Sequence, residues 1–195
     1  MPYSSIAIAL RKTIHKPLMA AFRSAVNNRV KLVRDESECK QNVNPTIYAA
    51  AHVFYYDIPA ICSCIADSVY ILHGQEKEIK ATSLIDYLGL KLNGLVSFRR
   101  DSRISRAQAV MDMATVLSNG GNILAFCEGT WNFSPNLLVL PLSWGILESV
   151  KLANREVNIV PVACDLVEGN YCTIIGKPLR YNIRDTSSKM EFFKH

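Results

Sequence analysis

The stretch TIYAAAHVFYYDIPA, residues 46–60, sets an apolar run against a histidine and an aspartate five positions apart, His52 and Asp57. Five residues advance a helix by about 500°, leaving the two side chains roughly 140° apart, and they put strand neighbours on opposite faces. Contact between the two therefore requires a turn. Residues 46–51 read as a short apolar strand. The run beginning at Asp57 reads as a helix start, with Asp57 near the cap and Pro59 in the first turn, where its missing N–H does no harm. His52 then lies at a strand end, facing a helix N-terminus. A carboxylate in that position can accept the Nδ1 proton of the imidazole and leave Nε2 to take a proton from a hydroxyl, the base-and-orienter arrangement of nucleophilic catalysis. The same residues also suit a plain core histidine and a plain helix cap, so the pair alone leaves both readings open.

Outward from this stretch, strands and helices alternate. RVKLVR at residues 29–34 alternates as a strand, and a helix is expected over residues 57–67, a strand over 68–72 and a short helix over 82–88. Residues 94–98 read as a strand. Ile104, Ala107, Val110, Met111, Ala114 and Leu117 follow the helical period, and Asn119-Gly120-Gly121 supplies a stop. NILAF at residues 122–126 is a fully apolar strand, followed by the loop CEGTWNFSPN. A helix over 143–154, a strand over 157–163 interrupted by Pro161, and a last strand over 171–175 complete the pattern. The alternation predicts an α/β fold: a single domain over residues 1–195, with a mixed sheet flanked by helices. In such sheets ligands collect beyond the carboxyl ends of strands, where His52 and the CEGTW loop both fall.

Composition narrows the classes. The chain has 195 residues, is 49% hydrophobic and 20% charged, and so suits a globular domain with a sizeable core. Its six cysteines lie scattered in apolar segments without a CxxC pair, which indicates neither a zinc site nor a disulfide framework. The N-terminal order, with basic residues following a short apolar run, does not match a secretory signal. No uninterrupted apolar run approaches the roughly 20 residues needed to span a bilayer. A soluble or peripheral protein of a reducing compartment is expected.

Charge is unevenly placed. Residues 1–34 hold seven basic side chains (Arg11, Lys12, Lys16, Arg23, Arg29, Lys31, Arg34) and no acidic one, although the whole chain carries only +5. Ile6, Leu10, Ile14, Leu18 and Phe22 recur every four residues, predicting a basic amphipathic helix, bent or broken near Pro17. Such a helix can lie on an anionic membrane or pack on its own domain. Nucleic acid is not an expected partner, since interleaved aromatics and binding motifs are absent.

Four segments, in order, carry a resemblance to a known family. His52-x4-Asp57, GLVSFRR ending at Arg100, FCEGT with Glu128, Gly129 and Thr130, and IVPV around Pro161 resemble the four blocks of the glycerolipid acyltransferases, which include the 1-acylglycerol-3-phosphate acyltransferases. The match spans roughly residues 46–178, and GKPL at 176–179 resembles the turn that follows the last block. The resemblance implies a glycerol-3-phosphate acyltransferase-like fold. It also implies transfer of a fatty acyl group from acyl-CoA or acyl-carrier protein to a hydroxyl of a lysophospholipid or related lipid. Carried over, His52 is the general base and Asp57 its orienter. Arg100 binds phosphate, Glu128, Gly129 and Thr130 line the acceptor pocket, and Pro161 shapes it. Two positions depart from the family's FPEGTR: Cys127 replaces proline, and Trp131 replaces an arginine, offering an aromatic surface to substrate instead of a cation.

A thioester is already activated, so neither a metal nor a redox cofactor is expected, and the acyl donor enters as a co-substrate. No G-x-S-x-G elbow is present to supply a serine nucleophile. The expected partner is a membrane surface, reached peripherally from the cytoplasmic, inner face. Two other activities fit the same residues: a noncatalytic binder of lipid or acyl-CoA, and an acyl thioesterase using water as acceptor.

Overall fold

Two of the most apolar runs, Thr46–Ala50 (β2) and Asn122–Phe126 (β5), become adjacent strands at the centre of a mixed sheet. The computed structural model describes residues 2–37, 44–52, 54–75, 91–128 and 145–181. Within these the order is α1 (Ser5–Ala25), β1 (Val30–Asp35), β2, α2 (Asp57–Cys64), β3 (Val69–Gln75), β4 (Leu95–Arg99), α3 (Arg103–Ser118), β5, α4 (Gly145–Ala153), β6 (Val157–Val167), β7 (Asn170–Ile175) and β8 (Leu179–Tyr181). Across the sheet the strands run β1-β7-β6-β2-β5-β3-β4, with β8 also paired to β6. β6, β2, β5, β3 and β4 are mutually parallel, and β7 turns back antiparallel along β6.

Strand alternation sorts the core into two layers. Ile47, Ile123, Ala125 and Ile159 face Met113 and Leu117 of α3 and Ile146 and Val150 of α4. Tyr48, Leu124, Phe126 and Val160 face Met19 and Phe22 of α1, Ile61 of α2 and Ile65 just past its end. Asn122 braces the amino end, because its side chain accepts from Thr46 N at 2.9 Å and donates to Ser68 O at 3.2 Å, joining the segments on either side of β5.

Three expectations are corrected. First, α1 is not broken at Pro17 but runs as one helix from a Ser4 cap, and its buried side chains are Ile8, His15, Met19 and Phe22. Of the expected apolar stripe, Ile6 and Leu10 are 82% and 64% exposed. The helix packs on two different surfaces, and this rotates the buried face away from a simple i+4 row. Its first half crosses the amino end of the sheet, where Arg11 donates to Leu92 O at 2.8 Å and stacks over Tyr70. Its second half lies on α2, where His15 Nε2 contacts Ile65 O at 3.2 Å and Arg23 donates to Ser63 O at 3.1 Å.

Second, β6 continues through Pro161. Asn158 N donates to Pro45 O on the β2 side, so by alternation the N–H that Pro161 lacks would have faced the other edge. There, just past the end of β7, Gly176 N donates to Pro161 O at 2.8 Å, so the proline keeps its acceptor bond and gives up only the reciprocal N–H bond at the end of the ladder. Third, α2 stops at Cys64 instead of near residue 67, while β3 extends past Leu72 to Gln75. The helix expected over residues 82–88 lies outside the described residues.

Candidate active site

β2 ends at Ala50, whose carbonyl accepts from Cys127 N at 3.0 Å, the last rung between β2 and the chain leaving β5. Just beyond that rung stand His52 on one strand end and Glu128 on the other. The chain then turns, and α2 begins directly at Asp57, with Tyr56 as its cap and no capping side chain. Pro59 falls in the first helical turn, where its missing N–H leaves no bond unmade.

Because Asp57 is the first helical residue and not the cap, its carboxylate reaches back across the turn. Oδ2 lies 2.8 Å from His52 Nδ1 and also accepts from Phe54 N at 3.1 Å. Asp57 is fully buried. Two donors and the positive end of α2 face this side chain. An ionised carboxylate only accepts, so Nδ1 carries the proton and Nε2 is left as the basic nitrogen. The imidazole ring packs at a tilt against Phe126, with ring centroids 4.7 Å apart.

Arg100 follows β4 on the far side of β3. Gly74 of β3 pairs with Phe98, and a Cβ placed on Gly74 would lie 2.7 Å from Arg100 Nε and 3.4 Å from its Cγ. The bare glycine lets the Arg100 side chain lie close over β3. Arg106 holds the arginine's backbone by donating to Arg100 O, and Ser105 Oγ accepts from Arg99 N at 2.9 Å. A cavity of about 360 Å³ opens between the sheet and α3, lined by Leu72, Phe98, Val110, Met113 and Ile146, with Arg103 and Arg106 also contributing.

Of the expected site residues, His52, Asp57, Arg100 and Glu128 are therefore brought to one edge, the carboxyl ends of the parallel strands. Glu128 is buried. Pro161 sits inside the sheet opposite Ala49, and its ring fills the space that a Cβ on Gly176 would need. Gly129, Thr130 and Trp131 lie outside the described residues. Three contributors went unread in the sequence: Phe54 N, Gly74 and Phe126. Cys127 adds no nucleophile, since burial and the neighbouring Glu128 carboxylate push its thiol up to about 12.

This is an α/β fold with its polar side chains gathered at the carboxyl edge of the sheet. A family model for acyltransferases matches residues 31–165, and the chain belongs to that family and is an enzyme of the acyltransferase class. A search of curated proteins finds no match. Among solved structures, the fold is similar to that of the 1-acyl-sn-glycerophosphate (LPA) acyltransferase PlsC from Thermotoga maritima, with a TM-score of 0.66 at 20% identity. That match covers 94% of this chain and 75% of PlsC. Among the described residues no helix is long and apolar enough to cross a membrane.

Proposed function

We propose that the enzyme transfers a fatty acyl group from a thioester, acyl-CoA or acyl-carrier protein, to a hydroxyl of a lysophospholipid or related lipid. The observation that carries this reading is the His52–Asp57 pair, 2.8 Å apart and braced by Phe54 N. His52 Nε2 takes the proton of the acceptor hydroxyl as its oxygen attacks the thioester carbonyl. Asp57 stabilises the imidazolium that forms, and that proton then serves the departing thiolate. Arg100, aligned over Gly74, offers a fixed planar cation to the acceptor's phosphate. Glu128, Gly129 and Thr130 complete the acceptor pocket, Trp131 gives it an aromatic surface, and Pro161 supports it from the sheet. The apolar cavity between the sheet and α3 receives a fatty chain.

A lipid acceptor makes a membrane surface the working partner. Neither a metal nor a redox cofactor has a step in this chemistry, since the thioester supplies the activated acyl group. Mass spectrometry of products from a panel of lysophospholipids, monoacylglycerols and glycerol 3-phosphate, each with acyl-CoA or acyl-carrier protein, tests the assignment. An acylated lysophospholipid supports it, and free fatty acid alone would assign a thioesterase.

A further inference from the structure

The rim around His52 exposes apolar side chains on both flanks. Tyr55 and Tyr56, in the turn that separates His52 from Asp57, are 51% and 42% exposed, with their rings edge to face at 4.7 Å. Phe54 of the same turn packs on Tyr171 of β7, centroids 6.3 Å apart, which couples the turn to the β6–β7 hairpin. β2 stops at Ala50, opposite Val162, whereas β6 runs on to Val167, so the hairpin stands beyond the sheet edge at the His52 end. Near its tip, Leu166 and Val167 are 45% and 48% exposed. Arg29, exposed, lies alongside, its carbonyl accepting from Tyr171 N at 2.7 Å. On the opposite flank, past β4, Ile104 in the first turn of α3 is 84% exposed and has the exposed Arg103 and Arg106 as neighbours.

Tyrosines with one wet end, aliphatic tips and arginines in one rim fit the boundary between lipid headgroups and acyl chains. We infer that this rim docks on an anionic lipid bilayer, with Tyr55, Tyr56, Leu166, Val167 and Ile104 entering the boundary and Arg29, Arg103 and Arg106 facing lipid phosphates. Asp165 and Glu168 share the hairpin, so its contribution is apolar and the electrostatic attraction comes from the arginines on either side. The inference deepens the lipid-acceptor reading above and rests on it: an acceptor leaving the bilayer meets His52 at once. The exposed Ile6 and Leu10 of α1 are placed otherwise, on the half of the helix that crosses the amino ends of the strands, where Ser5 donates to Asn119 and Arg11 to Leu92.

The test is sedimentation of the full-length chain with vesicles of phosphatidylcholine and phosphatidylglycerol, beside turnover on a short-chain acceptor dissolved as monomer. Leu166→Ser/Val167→Ser and Ile104→Ser are each expected to weaken vesicle binding by about tenfold, about 1.4 kcal/mol. Both should keep the parent's turnover on the monomeric acceptor, and Ile6→Ser/Leu10→Ser should bind vesicles as the parent does. Rim variants that bind like the parent, or binding lost in Ile6→Ser/Leu10→Ser instead, would overturn the inference. So would a parent that ignores vesicles but forms a dimer abolished by Leu166→Ser/Val167→Ser, which would assign the rim to a second copy. Turnover of the monomeric acceptor without any vesicle binding removes the docking surface and leaves the site's reading standing. Rim-dependent binding without any turnover does the reverse.

Discussion

Gly74 lies directly beneath the side chain of Arg100, so close that a methyl group on it would stand 2.7 Å from Nε. Gly74→Ala should therefore displace the guanidinium while leaving the strand intact, since alanine suits a strand as well as glycine does. If Arg100 binds the acceptor phosphate, kcat/KM for phosphate-bearing acceptors falls about tenfold to a hundredfold, the worth of a lost charge-assisted hydrogen bond at about 1.5–3 kcal/mol. KM should carry most of the change, and acceptors lacking phosphate should be unaffected. Equal losses on both acceptor types would remove the phosphate role.

Asp57→Asn keeps the shape of the side chain but replaces an acceptor-only group with one that also donates. The asparagine's one oxygen can take the place of Oδ2, which accepts from both Phe54 N and His52 Nδ1, but it brings no negative charge to stabilise the imidazolium. Steady-state turnover should drop about 10²- to 10⁴-fold, mainly in kcat. An unchanged kcat would show that Asp57 is only a structural residue at the start of α2.

How much of this site was legible in the sequence depended on distance along the chain. The His52–Asp57 turn could be read because its strand end, its proline and its aspartate all lie within one short stretch. The alternation of strands and helices, with α3 and β5 near their observed places, followed from local periodicity. Gly74 and Arg100 meet only through the register of β3 against β4, which no local pattern encodes. The buried face of α1 was misread for a similar reason, since it is set by Tyr70, Leu92 and Ile65 from distant segments. Pro161 looked like a strand breaker, but it falls where β7 ends and its carbonyl still accepts from Gly176 N, a pairing that comes from a distant segment.

Asn122 gives a test of the fold apart from the chemistry. Its side chain, buried in the sheet's amino end, serves Thr46 N and Ser68 O, so Asn122→Ala leaves two backbone groups unmet. The expected cost is about 2–4 kcal/mol, seen in thermal melts as a Tm lower by about 4–16 °C for a chain of this size. A Tm within a degree of the parent's would contradict the bracing role.

Stability should also fall in alkali. The Cys127 thiol is raised from its ordinary value of 9.0 to about 12 in the folded chain, by burial and then by Glu128. Below pH 9 the native and unfolded chains both hold the proton. Between pH 9 and about 12 only the native chain does, so unfolding releases it and stability drops by up to about 1.4 kcal/mol per pH unit for this thiol. Urea melts of parent and Cys127→Ala at pH 8 and pH 10 should show a smaller loss in the variant. An equal loss in both would place the alkaline transition elsewhere.

The central claim is that His52 activates a lipid hydroxyl for attack on a thioester. Free-thiol release from acyl-CoA, followed with and without lysophospholipid in the parent and in His52→Ala, measures it directly. The account predicts acceptor-dependent release by the parent and its loss, by about 10²- to 10⁴-fold, in the variant. Full acceptor-dependent release by His52→Ala would contradict it.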